Sequence, residues 1–413
     1  MNPAIINGTS VSFGTNSVLN AKFATYQAYE LDMGQIYSQV NSPSFNDEME
    51  ISLGNNKFSI HIYPYDIRHP DYKLQISTDA GIEELDPGPS YTYRGWNIDD
   101  PSKEVRLTIT PTYIAGFITD IKGITWYMQP VADFGETNLE AMVLYKGIDE
   151  LNGEPHTCAT DPTTHGVYMP EPAEASHSRA NSCVQADVAI AADYSMYTKY
   201  GKNAASLAQH LLDIKNLMDP NYDTYNVQFR VVTTLIETVS GKEGWSTSVD
   251  PGTLLNSYCC WAGTGSSSQL GCTGNNGFGV THDVGELWTN RDFTGSTVGI
   301  AWLGTICNSM FRYSTNQHFT TSLQSLRSLI AHETGHNFGA SHAASGTPYI
   351  MAPSVNPNAT TWSAASQTSI NSLLPAFSCL GSCGQQNGNC TSSITVTSSN
   401  ATGNKQASSS INT

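Results

Sequence analysis

The sequence predicts an α+β protein of two folded units followed by a polar tail, and three observations carry that prediction. Residues 51–131 read as short strands between turns, residues 183–383 alternate strands with helices, and residues 384–413 hold almost nothing apolar. At 413 residues the chain exceeds one average domain, and 39% hydrophobic with 13% charged residues is a globular composition.

The strands of the first unit are "KFSIHIYPYDI", "YKLQIST", "EVRLTITPTYIAGFITD" and "ITWYMQPV", which alternate or cluster β-branched and aromatic residues between Gly, Pro, Asn and Asp. They predict a β-rich unit over residues 1–156. Residues 157–182, "TCATDPTTHGVYMPEPAEASHSRANS", are poor in apolar side chains and rich in Pro, Ser, Thr and Ala, which predicts a linker with a boundary near Arg179. In the second unit, over 183–383, "ADVAIAAD" is a nearly continuous apolar run suited to a buried strand, "NAASLAQHLLDIKNLMD" an amphipathic helix and "YNVQFRVVTTLIE" another strand. That is an α/β pattern. The Gly-rich stretch "SYCCWAGTGSSSQLGCTGNNGFG" predicts a long surface loop tied down by Cys259, Cys260 and Cys272. The Ser/Thr/Asn tract over 384–413 cannot bury enough apolar area to fold, so it is expected to be disordered.

A net charge of −17 repels phosphate backbones and anionic lipid, which excludes nucleic acid and membrane surfaces as expected partners. No run of eighteen apolar residues occurs, so no membrane span is expected. Nine cysteines fit an oxidising compartment, and Asn7, Asn358, Asn389 and Asn400 stand in N-glycan acceptor triplets, which together predict a secreted glycoprotein. Met1–Phe23 has neither a basic n-region nor an apolar core, so the export signal is expected upstream or already removed.

The segment "SLQSLRSLIAHETGHNFGASH" carries the chemistry. Leu323, Leu326 and Ile330 fall at helical spacing and Thr320 or Thr321 can cap the start, so a helix runs into His332-Glu333-x-x-His336. Residues four apart share a helix face, which lets both imidazoles reach one cation. Gly339 permits a sharp exit at positive φ, after which His342 can return as a third ligand. Three neutral nitrogens leave one position of a tetrahedral Zn²⁺ open, which marks a catalytic site. Glu333 is placed to take a proton from water and pass it to a leaving amine. The plain alternative is a His-rich surface helix, and the five fixed offsets weigh against it.

H-E-x-x-H-x-x-G-x-x-H followed by a Met turn is the metzincin signature, and "PYIMAPS" supplies Met351. "THDVGELWTNRDFTGSTVGIAWLGTICN" and "DVAIAADYSMYTKYG" resemble the adamalysin (reprolysin, ADAM-type) family over 187–379, and "SKEVRLTITPTYIAGFITDIKGITWYMQPV" is similar to adamalysin prodomains. The resemblance implies a β-rich prodomain over 1–156 and, over 183–383, a metzincin α/β catalytic domain with a twisted mixed sheet and an active-site helix. It implies His332, His336 and His342 as zinc ligands, Glu333 as general base and Met351 beneath the metal. It further implies that Ile300, Ala301, Trp302, Leu303 and Gly304 form an edge strand for an extended substrate, and that Cys307 pairs with Cys379. Asp187 and Asp283 stand near calcium-ligand positions of some relatives. The chain departs from the family's usual pattern at Ala343, where most adamalysins have Asp, and no Cys-dense module follows in this sequence, so a minimal secreted architecture or a truncated one is expected.

The expected function is a secreted zinc endopeptidase zymogen acting on protein or peptide substrates, with its own prodomain as inhibitor. The alternative is a catalytically silent binding protein on the same scaffold. Nine is an odd number of cysteines, and Cys158 on the linker is the candidate leftover thiol, able to occupy the open zinc position in the manner of a cysteine switch. Its alternative is a disulfide to Cys183. Arg179, a lone basic residue on the linker, is the candidate processing site.

Overall fold

The computed structural model describes residues 2–165 and 183–383, apart from Asn16, Leu139, Asn152, Glu154 and Pro162. Its first part contains β1 (Asn2–Val11), α1 (Leu19–Lys22), β2 (Gln27–Leu31), α2 (Met33–Val40), β3 (Phe45–Leu53), β4 (Asn56–Pro64), β5 (Arg68–Thr78) and β6 (Gly81–Leu85). It continues with β7 (Thr92–Asn97), β8 (Asp100–Ile109), β9 (Ile114–Thr119), β10 (Thr125–Pro130), β11 (Ala141–Lys146) and the two-residue β12 (Thr157–Cys158). Nine of these strands close a barrel in the order β1-β2-β11-β10-β9-β8-β7-β4-β3, shut by the parallel pairing of Ile6 on β1 with Ile51 on β3. Period-two alternation fills it: Met49, Ile51 and Leu53 of β3 meet Phe58, Ile60 and Ile62 of β4 inside.

The second part contains β13 (Val184–Ala192), α3 (Tyr194–Lys199), α4 (Ala204–Met218), β14 (Val227–Glu237), α5 (Pro251–Ala262), the ribbon β15 (Ser266–Ser267) and β16 (Cys272–Thr273), and β17 (Val284–Thr289). After these come β18 (Thr297–Ala301), β19 (Tyr313–Gln317), α6 (Leu323–Asn337), α7 (Ala364–Leu373) and β20 (Gly381–Ser382). The mixed sheet runs β12-β18-β19-β17-β13-β14-β5-β6, with β20 beside the start of β13. Alternate residues of β13 serve both faces. Val188, Ile190 and Ala192 pack with Leu211 of α4 and Leu326 of α6, while Ala189 and Ala191 pack with Leu255 and Tyr258 of α5.

Arg68–Leu85 depart from the reading of 1–156 as one β-rich unit. β5 leaves the barrel and adds in parallel to β14, with Leu74 opposite Thr234 and Gln75 opposite Leu235. The helix before the histidines starts where the spacing predicts, but its cap is Ser322 rather than Thr320 or Thr321. Ser322 has extended backbone angles and its hydroxyl accepts from Ser325 N, while the Thr320 hydroxyl accepts from Ser322 N at 3.2 Å.

Disulfides join Cys183 to Cys383, Cys260 to Cys272 and Cys307 to Cys379. The alternative pairing of Cys158 with Cys183 is therefore overturned. Cys259, expected to help tie the Gly-rich loop, is instead a buried thiol in the α5 core. Arg179, Asn389, Asn400 and the 384–413 tail lie outside the described residues. Among the described residues no helix is long and apolar enough to cross a membrane.

Candidate metal centre and active site

Helix α6 presents His332 and His336 on one face, and the chain then turns at Gly339, whose φ is +97°. A side chain there would be strained and would collide with Leu373. The turn is closed by Gly339 N donating to His336 O at 2.8 Å and Ala340 N to Gly335 O at 2.9 Å, and it brings His342 back. The three Nε2 atoms lie 3.1, 3.2 and 3.2 Å apart. Nitrogens each about 2.0–2.1 Å from one tetrahedral Zn²⁺ would be roughly 3.3 Å apart, so the nest fits that ion.

The far nitrogens are committed elsewhere. His332 Nδ1 bonds Ile350 O and His336 Nδ1 bonds Ala340 O, both at 2.7 Å, which leaves Nε2 of each free to ligate. Burial, then the His342 charge, pushes the His332 pKa down to about 3, and burial also lowers His336 and His342. Neutral imidazole is the ligating form. Met351 is fully buried. A Cβ added at Gly335 would stand 2.6 Å from Met351 Sδ and 2.9 Å from the Trp362 ring, so this helix glycine exists for close packing.

Glu333 is buried with Oε1 lacking any partner, and Oε2 accepts from the Cys158 thiol at 3.4 Å. Burial pushes its carboxyl up to about 8, with the thiol hydrogen bond opposing. Cys158 Sγ is also 3.4 Å from His336 Nε2, and the thiol is driven up by burial first and the Glu333 charge second. Among the described residues the group Cys158, His332, His336 and His342 is the one set of three or more His, Cys, Asp or Glu able to hold a single metal ion. An orphaned carboxylate oxygen beside three bare nitrogens is chemistry suited to a cation.

Cys158 arrives on a segment laid along β18. Thr157 N donates to Ser296 O at 2.7 Å and Ala159 N to Gly299 O at 3.0 Å, while on the other side Cys158 N donates to Pro353 O at 3.0 Å and Val355 N to His156 O at 2.8 Å. The Thr160 hydroxyl donates to Ala301 O and accepts from Ala301 N, both at 3.0 Å, taking two ladder positions with one atom. The expected edge strand over 300–304 thus ends earlier than predicted. Ile300 and Ala301 belong to β18, but Trp302, Leu303 and Gly304 lie beyond it, where Gly304 N bonds His336 O at 2.8 Å. Its free side is covered by β12.

Sequence reasoning missed Gly299, Gly335 and Thr160. Only Gly335 had a local signal, lying inside the motif. Asp187 and Asp283 do come together, Asp187 N donating to Asp283 Oδ2 at 2.8 Å, but among the described residues no third His, Cys, Asp or Glu joins them, and calcium gains no support.

Residues 184–363 match the family model Reprolysin_5, metallo-peptidase family M12. Over 231 residues the chain is 26% identical to a zinc metalloproteinase-disintegrin-like protein of Cerberus rynchops, covering 54% of this chain and 35% of that protein. It is 28% identical over 222 residues to disintegrin and metalloproteinase domain-containing protein 15 of Homo sapiens, covering 50% and 24%, and 28% identical over 231 residues to the Rattus norvegicus protein of that name. The chain thus spans between about a quarter and about 35% of the length of these relatives. The family match and the histidine nest together support a metallopeptidase-type domain over residues 184–363. Over that range the chain is similar to proteins of the adamalysin/reprolysin type.

Proposed function

We propose that the chain is a secreted zinc endopeptidase made as a zymogen. On this reading residues 1–156 are its inhibitory prodomain, 157–182 the linker with switch and activation site, 183–383 the catalytic domain and 384–413 a disordered tail. One observation carries it: a strand-paired segment delivers the Cys158 thiol to the three-histidine nest and onto Glu333. His332, His336 and His342 hold zinc, which when bound supplies Lewis-acid activation of water and of the scissile carbonyl. Glu333 accepts the proton of the attacking water and returns it to the leaving amine. Met351 supports the nest from below. Ile300 and Ala301 offer backbone groups to an extended peptide or protein substrate, with Trp302–Gly304 shaping the end of that edge. In the latent state Cys158 takes the fourth ligand position and its segment takes the substrate's edge, so neither water nor substrate enters. Three disulfides support an oxidising destination.

The test is casein zymography of the trypsin-activated chain with and without a zinc chelator, beside metal analysis. Clearing that the chelator abolishes is expected, with about one zinc per chain. Glu333→Ala is expected to keep the zinc and lose about 10²- to 10⁴-fold in kcat. No clearing in any lane would instead leave a binding scaffold.

A further inference from the structure

The segment in the cleft also marks a pocket that the reaction above does not use. Cys158 faces the histidines. His156, two residues earlier, lies against the Phe319 ring with centroids 4.3 Å apart. Beside it a cavity of about 500 Å³, lined among others by Asp292, Ser296, Gln317 and Phe319, opens at the Thr297 end of β18. That volume remains with the imidazole in place, so the pocket has room for a longer side chain.

Its chemistry is acidic and aromatic. Gln317 Nε2 donates to Asp292 Oδ1 at 3.0 Å, which orients the carboxylate, and the Phe319 ring forms an aromatic part of the lining. The charges acting on His156 are Asp292 and, with opposite sign, Lys22. Lys22 belongs to α1 and would leave with the barrel, whereas Asp292 stays beside the cleft. Removing the barrel therefore leaves the pocket more acidic than it is in the latent chain.

We propose that this pocket is a specificity subsite that selects arginine or lysine in the substrate, two positions from the residue facing the histidines on the Thr297 side. The cation pairs with Asp292 while Phe319 lies under its stem or its charge. The proposal rests on reading the cleft as that of a peptidase, and its first test does not require activity.

In the full chain, alkylation of Cys158 by iodoacetamide, followed at peptide level by mass spectrometry, reports how often the segment lifts out of the cleft. His156→Arg is expected to slow alkylation by about 3- to 10-fold relative to His156→Ala, and the difference is expected to fall below about twofold when Asp292→Asn is combined with each. Equal rates for the two variants, or a difference that survives Asp292→Asn, would overturn the subsite. In the second test the activated chain cleaves paired peptides carrying Arg or Ala at that position. A kcat/KM ratio of about 3 to 10 is expected, collapsing in Asp292→Asn and favouring Glu in Asp292→Lys. A ratio near one in the parent, or the same ratio in Asp292→Asn, overturns it. If no peptide is cut at all, the peptidase reading fails and the alkylation rates still decide the pocket.

Discussion

Glu333 is positioned by a residue that has no side chain. A Cβ built on Gly299 of β18 would collide with Glu333 Oε1 and stand 2.8 Å from Leu329 Cδ1, so this stretch of edge strand must be bare for the carboxylate to lie where it does. Gly299→Ala forces the carboxylate to move, and a displacement on the order of 1 Å in a catalytic group costs about 10²-fold. Zinc stoichiometry is expected to stay at one while kcat/KM falls by about that factor. An unchanged kcat/KM at full zinc loading would remove Gly299 from the argument. The contrast with the histidines explains what was legible. His332, Glu333, His336, Gly339 and His342 sit at fixed offsets on one helix and its exit, so spacing alone brings them together. Gly299 and Thr160 act across elements more than thirty and more than a hundred and forty residues away in sequence, respectively, and no local pattern signals that.

β12 is two residues long, yet backbone groups from His156 to Ala159 are bonded on one side or the other, and the Thr160 side chain continues the ladder. On the proposed zymogen reading, backbone pairing and the thiol are separable contributions to latency. Cys158→Ser keeps the pairing and removes the soft ligand, because a serine hydroxyl is a poor competitor for zinc at neutral pH. The uncleaved variant is expected to hydrolyse a short peptide about tenfold or more faster than the uncleaved parent. If it stays as silent as the parent, cover by the segment suffices and the thiol has no inhibitory role. At this scale the sequence announced most strands but not their partners. "YKLQIST" is a strand, as its alternation predicts, yet period two fixes only which side chains share a face. Which sheet edge β5 joins is decided by β14, whose open edge it covers. The cap of α6 was misread by one or two residues for a related reason. Thr320, Thr321 and Ser322 all have cap chemistry, and Ser322 is selected by contacts from the barrel: its hydroxyl donates to Glu150 at 2.8 Å, while Leu323 N donates to Gln129 at 3.2 Å.

No disulfide among the described residues links the barrel's part of the chain, 2–165, to 183–383, so the two are held by packing and polar contacts alone. Arg94 of β7 pairs with buried Asp219 at 2.7 Å. Asp213 of α4 accepts from the Tyr113 hydroxyl at 2.8 Å and the Thr108 hydroxyl at 2.9 Å. Burial outweighs these donors and pushes the Asp213 carboxyl up to about 6, and burial also pushes nearby Asp133 of the barrel up to about 7. Both values lie above the roughly 3.9 of an exposed aspartate, so folding favours the neutral acid. The associated stability is complete below about pH 4 and is lost as pH rises through about 6 for Asp213 and about 7 for Asp133. Asp213→Asn keeps the shape and abolishes that residue's titration. Urea unfolding of the parent is therefore expected to lose stability between pH 5 and pH 7.5, and Asp213→Asn to lose less over the same interval, by on the order of 1–2 kcal/mol. On the proposed zymogen reading the direction matters: the barrel's hold on α4 weakens toward neutral pH rather than toward acid. Identical losses in parent and variant would mean that Asp213 stays in one protonation state across that window, and the pH response of the joint would then have to come from Asp133.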